Sequence, residues 1–251
     1  VKKVLWKGGI MNKIIVLNQK SYMEYNEVLD FINNIKDNIR RDLDVIICPS
    51  SIYLPYYKGK YDFKLGSQNV YIKNITGEYT SKSLKSMGVN YVLVGHFERK
   101  HYLHESNELI NLKIKDAINN NIIPIVCLGE TKEEKELLKT GDVLIKQLKE
   151  YFKDVDVKED IVIAYEPGYS IGTSILPTTS ELEEVIKLIK DNIFRKYNCN
   201  IKVLYGGSVD ELNIEKLNKI KDLDGYLIGK NSSSSTKIIQ IMDKIDWFRQ
   251  K

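Results

Sequence analysis

The sequence predicts an α/β fold in which a single domain forms a (β/α)8 barrel, a parallel eight-stranded barrel surrounded by helices. The chain has 251 residues, and a barrel of this kind takes about 250. Eight short β-branched runs alternate with longer segments of helical periodicity, a pattern typical of parallel strands that are joined and covered by helices. No linker or shift in composition divides the chain, so the three observations together favour one closed barrel.

Each predicted strand is a short apolar run, and each is followed by a segment with apolar residues at three- and four-residue spacing. The strands are predicted at 14–17, 44–47, 63–65, 91–94, 124–128, 161–164, 201–204 and 225–228. The helical segments are predicted at 26–41, 51–57, 81–87, 105–121, 132–152, 181–197, 213–220 and 236–248. An open doubly wound sheet is the alternative, but its Gly-x-Gly-x-x-Gly turn after the first strand is replaced here by Asn18-Gln-Lys-Ser21.

The composition excludes several classes of protein. Hydrophobic residues make up 43% and charged residues 29% of the chain, which argues against disorder, collagen and coiled coil. The net charge of +4 comes from dispersed charges, so no nucleic acid and no membrane is expected as a partner. Three widely separated cysteines give neither a disulfide framework nor metal-ligand spacing, and they point to a reducing compartment, by default the cytoplasm.

The first residues are predicted to lie outside the barrel. No apolar run reaches the ~18–20 residues of a membrane helix, and residues 1–10 are too short and too polar for a signal-peptide core. We expect residues 1–11 to be an extra N-terminal arm or the product of an upstream start, with Met11 as the natural beginning. The barrel domain, which would carry the catalytic residues, is predicted to span 12–251.

Polar side chains follow several predicted strands, at the carboxyl end where such barrels place their active sites. Lys20 follows the first strand, His96 the fourth and Glu166 the sixth. A carboxylate base, an imidazole and a fixed ammonium suit abstraction of a proton next to a carbonyl, because the two nitrogen groups can stabilise the enolate oxygens. This chemistry calls for no metal and no other cofactor.

Glycine-rich turns follow the last strands. Gly206-Gly-Ser208 and Gly229-Lys-Asn231 lie where many barrels bind phosphate through backbone N–H groups, so a small phosphorylated substrate is expected. Each feature has a structural alternative, because histidines and lysines at strand ends can be purely structural and glycines can be plain turn residues. His101 and His104 are predicted to be structural. The occurrence of all these features together at successive strand ends favours an active site.

Several motifs carry a resemblance to a known family. The most specific are Tyr165-Glu-Pro167 with Ile171-Gly-Thr173, Tyr205-Gly-Gly-Ser-Val209, Gly95-His96 with Glu98-Arg99, Asn18-x-Lys20, and Asp224-Gly225 leading to Gly229. Smaller matches are Gln68-Asn69, Thr76-Gly-Glu78, Glu105-Ser106 and Cys127-x-Gly129-Glu130. In this order and spacing they make the chain similar to the triosephosphate isomerase family from about Asn12 to the C-terminal helix, which implies a TIM barrel.

The resemblance implies a catalytic role for four residues. Glu166 would be the base that moves a proton between two substrate carbons, and His96 would be the neutral electrophile on the substrate oxygens. Lys20 would supply positive charge, and Asn18 would help to hold the oxygens. The implied reaction is the cofactor-free isomerisation of dihydroxyacetone phosphate and D-glyceraldehyde 3-phosphate through an enediolate, a step of glycolysis and gluconeogenesis.

The resemblance also implies the residues that support the chemistry. Glu98 and Cys127 would lie behind the catalytic groups. The backbone N–H groups expected to bind the substrate phosphate are those of Gly172, Ser208, Gly229 and Lys230. The lid that protects the enediolate is expected to consist of Pro167, Gly168, Tyr169, Ser170, Ile171, Gly172 and Thr173. The family forms dimers through the loop after strand three, and 69–76 is shorter here, so a homodimer with a shortened interface loop is expected.

The sequence departs from the family pattern around the site. Gln19 replaces a tryptophan, Phe97 a serine, Gly168-Tyr169 a valine–tryptophan pair, and Lys230 the second residue of a glycine pair. Drift that leaves the triosephosphate activity intact is the first interpretation. The alternative is a paralogous isomerase of a tetrulose phosphate, such as erythrulose phosphate. A barrel that binds a phosphosugar without turnover is a third possibility, and retention of all three catalytic side chains argues against it.

Overall fold

Eight parallel strands close into one barrel in the computed structural model, which describes residues 12–59, 61–157 and 161–245. The strands are β1 (Lys13–Asn18), β2 (Leu43–Cys48), β3 (Lys64–Ser67), β4 (Tyr91–Val94), β5 (Ile123–Leu128), β6 (Val162–Tyr165), β7 (Lys202–Tyr205) and β8 (Gly225–Ile228). Each strand pairs with the next, and β8 returns to β1 with Ile228 opposite Leu17. The predicted (β/α)8 barrel is confirmed, and the open sheet is wrong. The N-terminal arm predicted at 1–11 lies outside the described residues.

Nine α-helices cover the barrel within these ranges. They are α1 (Tyr25–Ile35), α2 (Ser81–Ser86), α3 (Phe97–Tyr102), α4 (Asn107–Asn119), α5 (Lys132–Glu136), α6 (Thr140–Tyr151), α7 (Thr179–Tyr197), α8 (Ile214–Leu217) and α9 (Ser235–Lys244). Three short 3-10 segments lie at Ser51–Tyr57, Gly168–Ser170 and Lys230–Ser233. No helix in the described part of the chain is long and apolar enough to cross a membrane.

Two helical predictions were wrong in detail, and one helix was not predicted. The segment predicted at 132–152 is two helices, because Leu138 has a φ of +57° and a left-handed residue cannot continue a right-handed helix. The segment predicted at 26–41 ends at Ile35, and Arg40 instead donates to the carbonyls of Met242 and Ile245 at 2.5 and 3.0 Å. Helix α3 was not predicted, since none of its residues is buried and it therefore shows no apolar stripe.

The core has two layers because strand side chains alternate between the two faces of the barrel wall. Ile14 and Val16 point into the barrel, whereas Ile15 and Leu17 pack outward against the helices. The interior layer contains residues from seven of the strands: Ile14, Val16, Ile46, Cys48, Leu93, Ile125, Cys127, Val162, Ala164, Leu204 and Leu227. The filled interior supports the strand ends from below, so the residues that follow the strands meet at one rim.

Candidate active site

A cavity of about 490 Å³ opens at the carboxyl ends of the strands. All of the predicted catalytic and phosphate-binding residues line it: Asn18, Lys20, His96, Glu166, Gly172, Ser208, Gly229 and Lys230. Lys20, His96 and Glu166 follow β1, β4 and β6, and the glycine turns follow β7 and β8. The structure therefore brings together side chains that lie far apart in the sequence.

Glu166 is buried and hydrogen-bonded through both carboxylate oxygens. Its Oε1 lies 3.1 Å from His96 Nε2, and its Oε2 accepts the backbone N–H of Phe97 at 2.9 Å. Burial by itself would raise the pKa of Glu166, but His96, the Phe97 N–H and the Lys100 ammonium stabilise the charged form and lower the pKa overall. Glu166 is therefore a buried carboxylate that is held in its ionised form, the state that a general base requires.

His96 is oriented by the helix that it starts. It is the N-cap of α3, and its Nδ1 accepts the backbone N–H of Glu98 at 3.3 Å. An acceptor nitrogen carries no proton, so this hydrogen bond assigns the ring proton to Nε2. That proton points toward the cavity and toward Glu166.

Lys20 forms an ion pair with Glu98, with 2.5 Å between Nζ and Oε1. Burial opposes the charge on Lys20, yet the Glu98 carboxylate and the nearby Tyr22 raise its pKa overall. The lysine is thus held as an ammonium at the rim of the cavity. Glu98, expected to support the catalytic groups, contacts both Lys20 and His96.

The backbone of Lys20 is strained. Its φ is +49°, a left-handed conformation that costs a residue other than glycine about 1–3 kcal/mol. Gln68 holds this turn, because its Nε2 donates to the carbonyls of Lys20 and Cys48 at 2.8 and 3.0 Å. Asn18 Oδ1 accepts the Lys20 N–H at 3.4 Å. The left-handed backbone sets the direction in which the Lys20 side chain leaves the end of β1.

Two further residues support the site from buried positions. Gln19 accepts a hydrogen bond from Tyr57 at 2.7 Å and donates to the Ser232 carbonyl at 3.4 Å, so the replacement of the family tryptophan still ties adjacent loops together. Cys127 lies inside the barrel next to Glu166, and burial together with that carboxylate raises the pKa of its thiol. It is therefore an un-ionised packing group under the base.

The predicted lid is attached to the motif that follows β7. The hydroxyls of Ser170 and Tyr205 lie 2.7 Å apart, Ser208 Oγ donates to the Ser170 carbonyl at 2.7 Å, and the Ser174 N–H donates to Ser208 Oγ at 3.1 Å. Gly207 is required here, since an added Cβ would lie 2.2 Å from the Tyr205 hydroxyl. These contacts tie the predicted lid segment to the turn after β7.

One supporting cluster was missed by the sequence reasoning. Lys113 on α4 is fully buried and donates to Glu105 and Asn69 at 2.5 and 2.7 Å. Arg99 on α3 donates to the same oxygen of Glu105 at 2.5 Å. The cluster joins α4 to α3 and to the loop after β3. The available signal was a lysine beside the apolar positions of a helix that otherwise faces the core.

The end of the cavity that is predicted to bind phosphate carries one more cationic side chain than the sequence analysis named. Lys237, at the start of α9, lines the cavity together with Lys230, and it donates to Asn231 at 3.3 Å. No group of His, Cys, Asp and Glu side chains in the described part of the chain could hold a metal ion. The arrangement suits an anionic ligand at one end and acid–base chemistry at the other.

Known proteins are similar in sequence to this chain over the whole barrel. The family model described as triosephosphate isomerase matches residues 13–245. A triosephosphate isomerase from Alkaliphilus oremlandii is 36% identical over 243 residues, covering 92% of this chain and 98% of that protein. One from Mesomycoplasma hyorhinis is 36% identical and covers 94% and 95%, and one from Dictyoglomus thermophilum is 37% identical and covers 86% and 93%. The chain belongs to the triosephosphate isomerase family.

Proposed function

We propose that the chain interconverts dihydroxyacetone phosphate and D-glyceraldehyde 3-phosphate. The observation that carries the proposal is the contact of Glu166 Oε1 with His96 Nε2 at 3.1 Å, in a cavity that also holds the Lys20 ammonium and the glycine turns. A protein that only bound a phosphosugar would need the turns but not the base. Family membership and the aldose–ketose isomerases among its relatives support the same activity.

The reaction is a proton transfer between neighbouring carbons. Glu166 removes a proton from the carbon next to the carbonyl, the C–H electrons form a C=C bond, and the carbonyl electrons move to oxygen to give an enediolate. The protonated Glu166 then returns the proton to the other carbon. A proton also passes between the two substrate oxygens, and His96 mediates that step through Nε2. These roles of glutamate and neutral histidine are those described for the family.

The charge that develops on the substrate oxygens is stabilised by groups already in place. Substrate competes with Glu166 for the Nε2 proton of His96, which frees the carboxylate to act on carbon. The Lys20 ammonium, held by Glu98, lies at the rim where negative charge appears, and preorganised donors of this kind are worth about 3–4 kcal/mol each in related sites. Asn18 supplies a further polar side chain beside Lys20.

The lid and the glycine turns hold the phosphate and exclude water. The backbone N–H groups of Gly172, Ser208, Gly229 and Lys230 bind the phosphate in this proposal, and all four residues line the cavity. The segment Pro167 to Thr173 closes over the enediolate, which would otherwise lose its phosphate. The hydroxyl contacts between Ser170 and Tyr205 support that closed position.

A direct assay tests the proposal. We expect the purified chain to interconvert the two triose phosphates, and Glu166→Asp, which withdraws the carboxylate by about one methylene, to lower kcat by about a hundredfold. Glu184→Asp, an exposed position on α7, is the matched control and should retain full activity. Turnover of tetrulose phosphates without turnover of trioses would overturn the proposed substrate. Binding of phosphosugar without turnover of either would overturn the proposed reaction.

We also propose that the chain forms a homodimer with a reduced loop interface. The loop between β3 and α2 carries Ile75, which is 49% exposed, and α3 exposes Tyr102 at 68%. A cavity of about 430 Å³ beside the catalytic groups is lined by Asn69, Arg99 and Tyr102 and would accept the loop of a second copy. Sedimentation at micromolar concentration should give a dimer, and a monomer alone would overturn this proposal.

The cytoplasm is the proposed location. Cys48, Cys127 and Cys199 are all buried and none of the three forms a disulfide bond, which suits a reducing compartment. Fractionation of source cells with an antibody against the chain should recover it with cytoplasmic markers, and recovery outside the cell would contradict the assignment.

A further inference from the structure

Two residues that depart from the family pattern, Phe97 and Gly168, lie against each other. The Phe97 ring stacks on His101 with 5.5 Å between ring centroids and an interplanar angle of 11°. Its outer edge faces Gly168, where an added Cβ would lie 2.4 Å from Cε2 and 2.8 Å from Cζ of Phe97. Real Cβ atoms do not approach other atoms so closely, so the ring occupies the space of a side chain at position 168.

Space, rather than backbone conformation, requires glycine at this position. Gly168 does not belong to the positive-φ glycines of the described chain, whereas Gly172 in the same lid has a φ of +70°. The next nearest group to a Cβ at 168 would be the Glu130 carbonyl oxygen, at 3.0 Å, and the Gly168 N–H donates to that same oxygen at 2.9 Å. Gly168 is thus fixed between a backbone carbonyl and an aromatic ring.

The position of Gly168 in the chain connects it to the chemistry. It stands two residues after Glu166, at the start of the lid and of its 3-10 segment. Phe97 contacts both the base and the lid. Its backbone N–H donates to Glu166 Oε2 at 2.9 Å, and its ring meets the lid at Gly168. A single residue therefore touches the base with its backbone and the lid hinge with its side chain.

We propose that Phe97 is a positioning residue that couples the catalytic carboxylate to the lid hinge, with Gly168 as its obligatory partner. The ring sets where the hinge can lie, and the hinge in turn keeps the ring and its backbone N–H against Glu166. This inference rests on the proposed function. It predicts that the two residues act as a unit, so that a side chain at 168 is tolerated only when the ring is removed.

A double-mutant cycle tests this coupling with the wild type, Phe97→Ser, Gly168→Ala and the double variant. Gly168→Ala should lower kcat by about tenfold or more, because the ring must be displaced from the hinge. Phe97→Ser should lower kcat while KM changes by about twofold or less, because the phosphate donors are untouched. The double variant should be about tenfold more active than Gly168→Ala, a partial recovery since the Glu130 carbonyl still crowds the new methyl group.

Two controls separate coupling from general loss of structure. Gly172→Ala strains the same lid through its φ of +70° and adds a methyl group that has nothing within 4 Å, so it does not meet the Phe97 ring and its effect on kcat should simply multiply with that of Phe97→Ser. Inhibition by inorganic phosphate should weaken in Gly168→Ala and recover in the double variant, because phosphate is held under the closed lid. A purely packing role would change the melting temperature of Phe97→Ser but leave the kcat of the folded enzyme unchanged.

The outcomes are distinguishable from those of the proposed function. If the wild type turns over neither triose phosphate, the proposed function fails, and the melting temperatures and phosphate affinities of the same four proteins still measure the coupling. If the effects of Phe97→Ser and Gly168→Ala multiply in kcat, in phosphate affinity and in stability, the pairing is overturned even though the enzyme is active.

Discussion

The Lys20 ammonium and the Glu98 carboxylate lie 2.5 Å apart across the rim of the barrel, with side chains 15% and 37% exposed. Lys20 follows β1 and Glu98 lies on α3, so the pair joins two elements that are distant in sequence. Water screens the carboxylate more than the lysine. The pair therefore serves to fix the charge and position of Lys20 more than to stabilise the fold.

Replacing Glu98 by glutamine should narrow the pH range of activity on the alkaline side. The carboxylate raises the pKa of Lys20 against the opposing effect of burial, so its removal lets the pKa of Lys20 fall. The ammonium is then lost at a lower pH, and the alkaline limb of kcat/KM should move downward. Profiles of kcat/KM from neutral pH upward check this, with Glu184→Gln as control; an unmoved limb would contradict the assigned role of Glu98.

Replacing His96 by glutamine should instead narrow the pH range of activity on the acidic side. His96 helps to lower the pKa of Glu166 against its burial, together with the Phe97 N–H and the Lys100 ammonium. Without the imidazole the pKa of Glu166 rises, so the base is protonated at higher pH and the acidic limb of kcat/KM should move upward. We also expect kcat to fall by about 10²–10³-fold. His104→Asn, at an exposed left-handed position, should change neither quantity.

Replacing Lys113 by methionine should destabilise the fold strongly. Lys113 and Glu105 are an ion pair with side chains 0% and 4% exposed, and removing Lys113 leaves a buried carboxylate whose remaining ion pair, among the described residues, is the one with Arg99. The free energy of unfolding should fall by about 3 kcal/mol. Denaturant titration measures it, and Lys187→Met, which breaks an exposed pair with Asp191, should change it by less than about 1 kcal/mol. Equal effects of the two substitutions would refute this reading of the cluster.

Replacing Lys13 by methionine should stabilise the protein at neutral pH. Lys13 is 3% exposed at the start of β1, and burial lowers its pKa from 10.5 to about 8 in spite of Asp224. The unfolded chain therefore binds more protons between these two values, so the stability of the wild type should rise with pH across that window. The stability of Lys13→Met should not rise across this pH window. Below the window, its free energy of unfolding should exceed that of the wild type by about 1–2 kcal/mol. Unfolding at several pH values measures this, with the exposed Lys82→Met as control.

The features predictable from the sequence were those set by repetition. Eight strand–helix periods fix a barrel, and the common polarity of its strands brings Lys20, His96 and Glu166 to one rim whatever the loops between them do. This is why the cavity contains the residues predicted to be catalytic, although two predicted helices ran past Ile35 and across Leu138, where the observed helices end or break. Errors in the predicted helix boundaries do not move the predicted site, because each strand positions the residues that follow its own end.

The features that escaped prediction depend on contacts between distant residues. The sequence shows Phe97 and Gly168 as two separate departures, and only their meeting in space reveals one arrangement. Lys113 finds one of its partners 44 residues away, at Asn69, and no local pattern encodes that pairing. The left-handed turn at Lys20 likewise depends on Gln68 of another strand end. Tertiary partners of this kind override local preference.

The buried glutamine next to Lys20 has a consequence for the order in which the site is completed. Gln19 follows the first strand, yet its amide group bonds the carbonyl of Ser232, which follows the last. During synthesis, residues of the sixth strand leave the ribosome long before Ser232 does, so Glu166 and His96 are both made before the last hydrogen-bond partner of Gln19. Catalytic competence should therefore arise abruptly with the final segment of the chain, and shortened chains should remain inert.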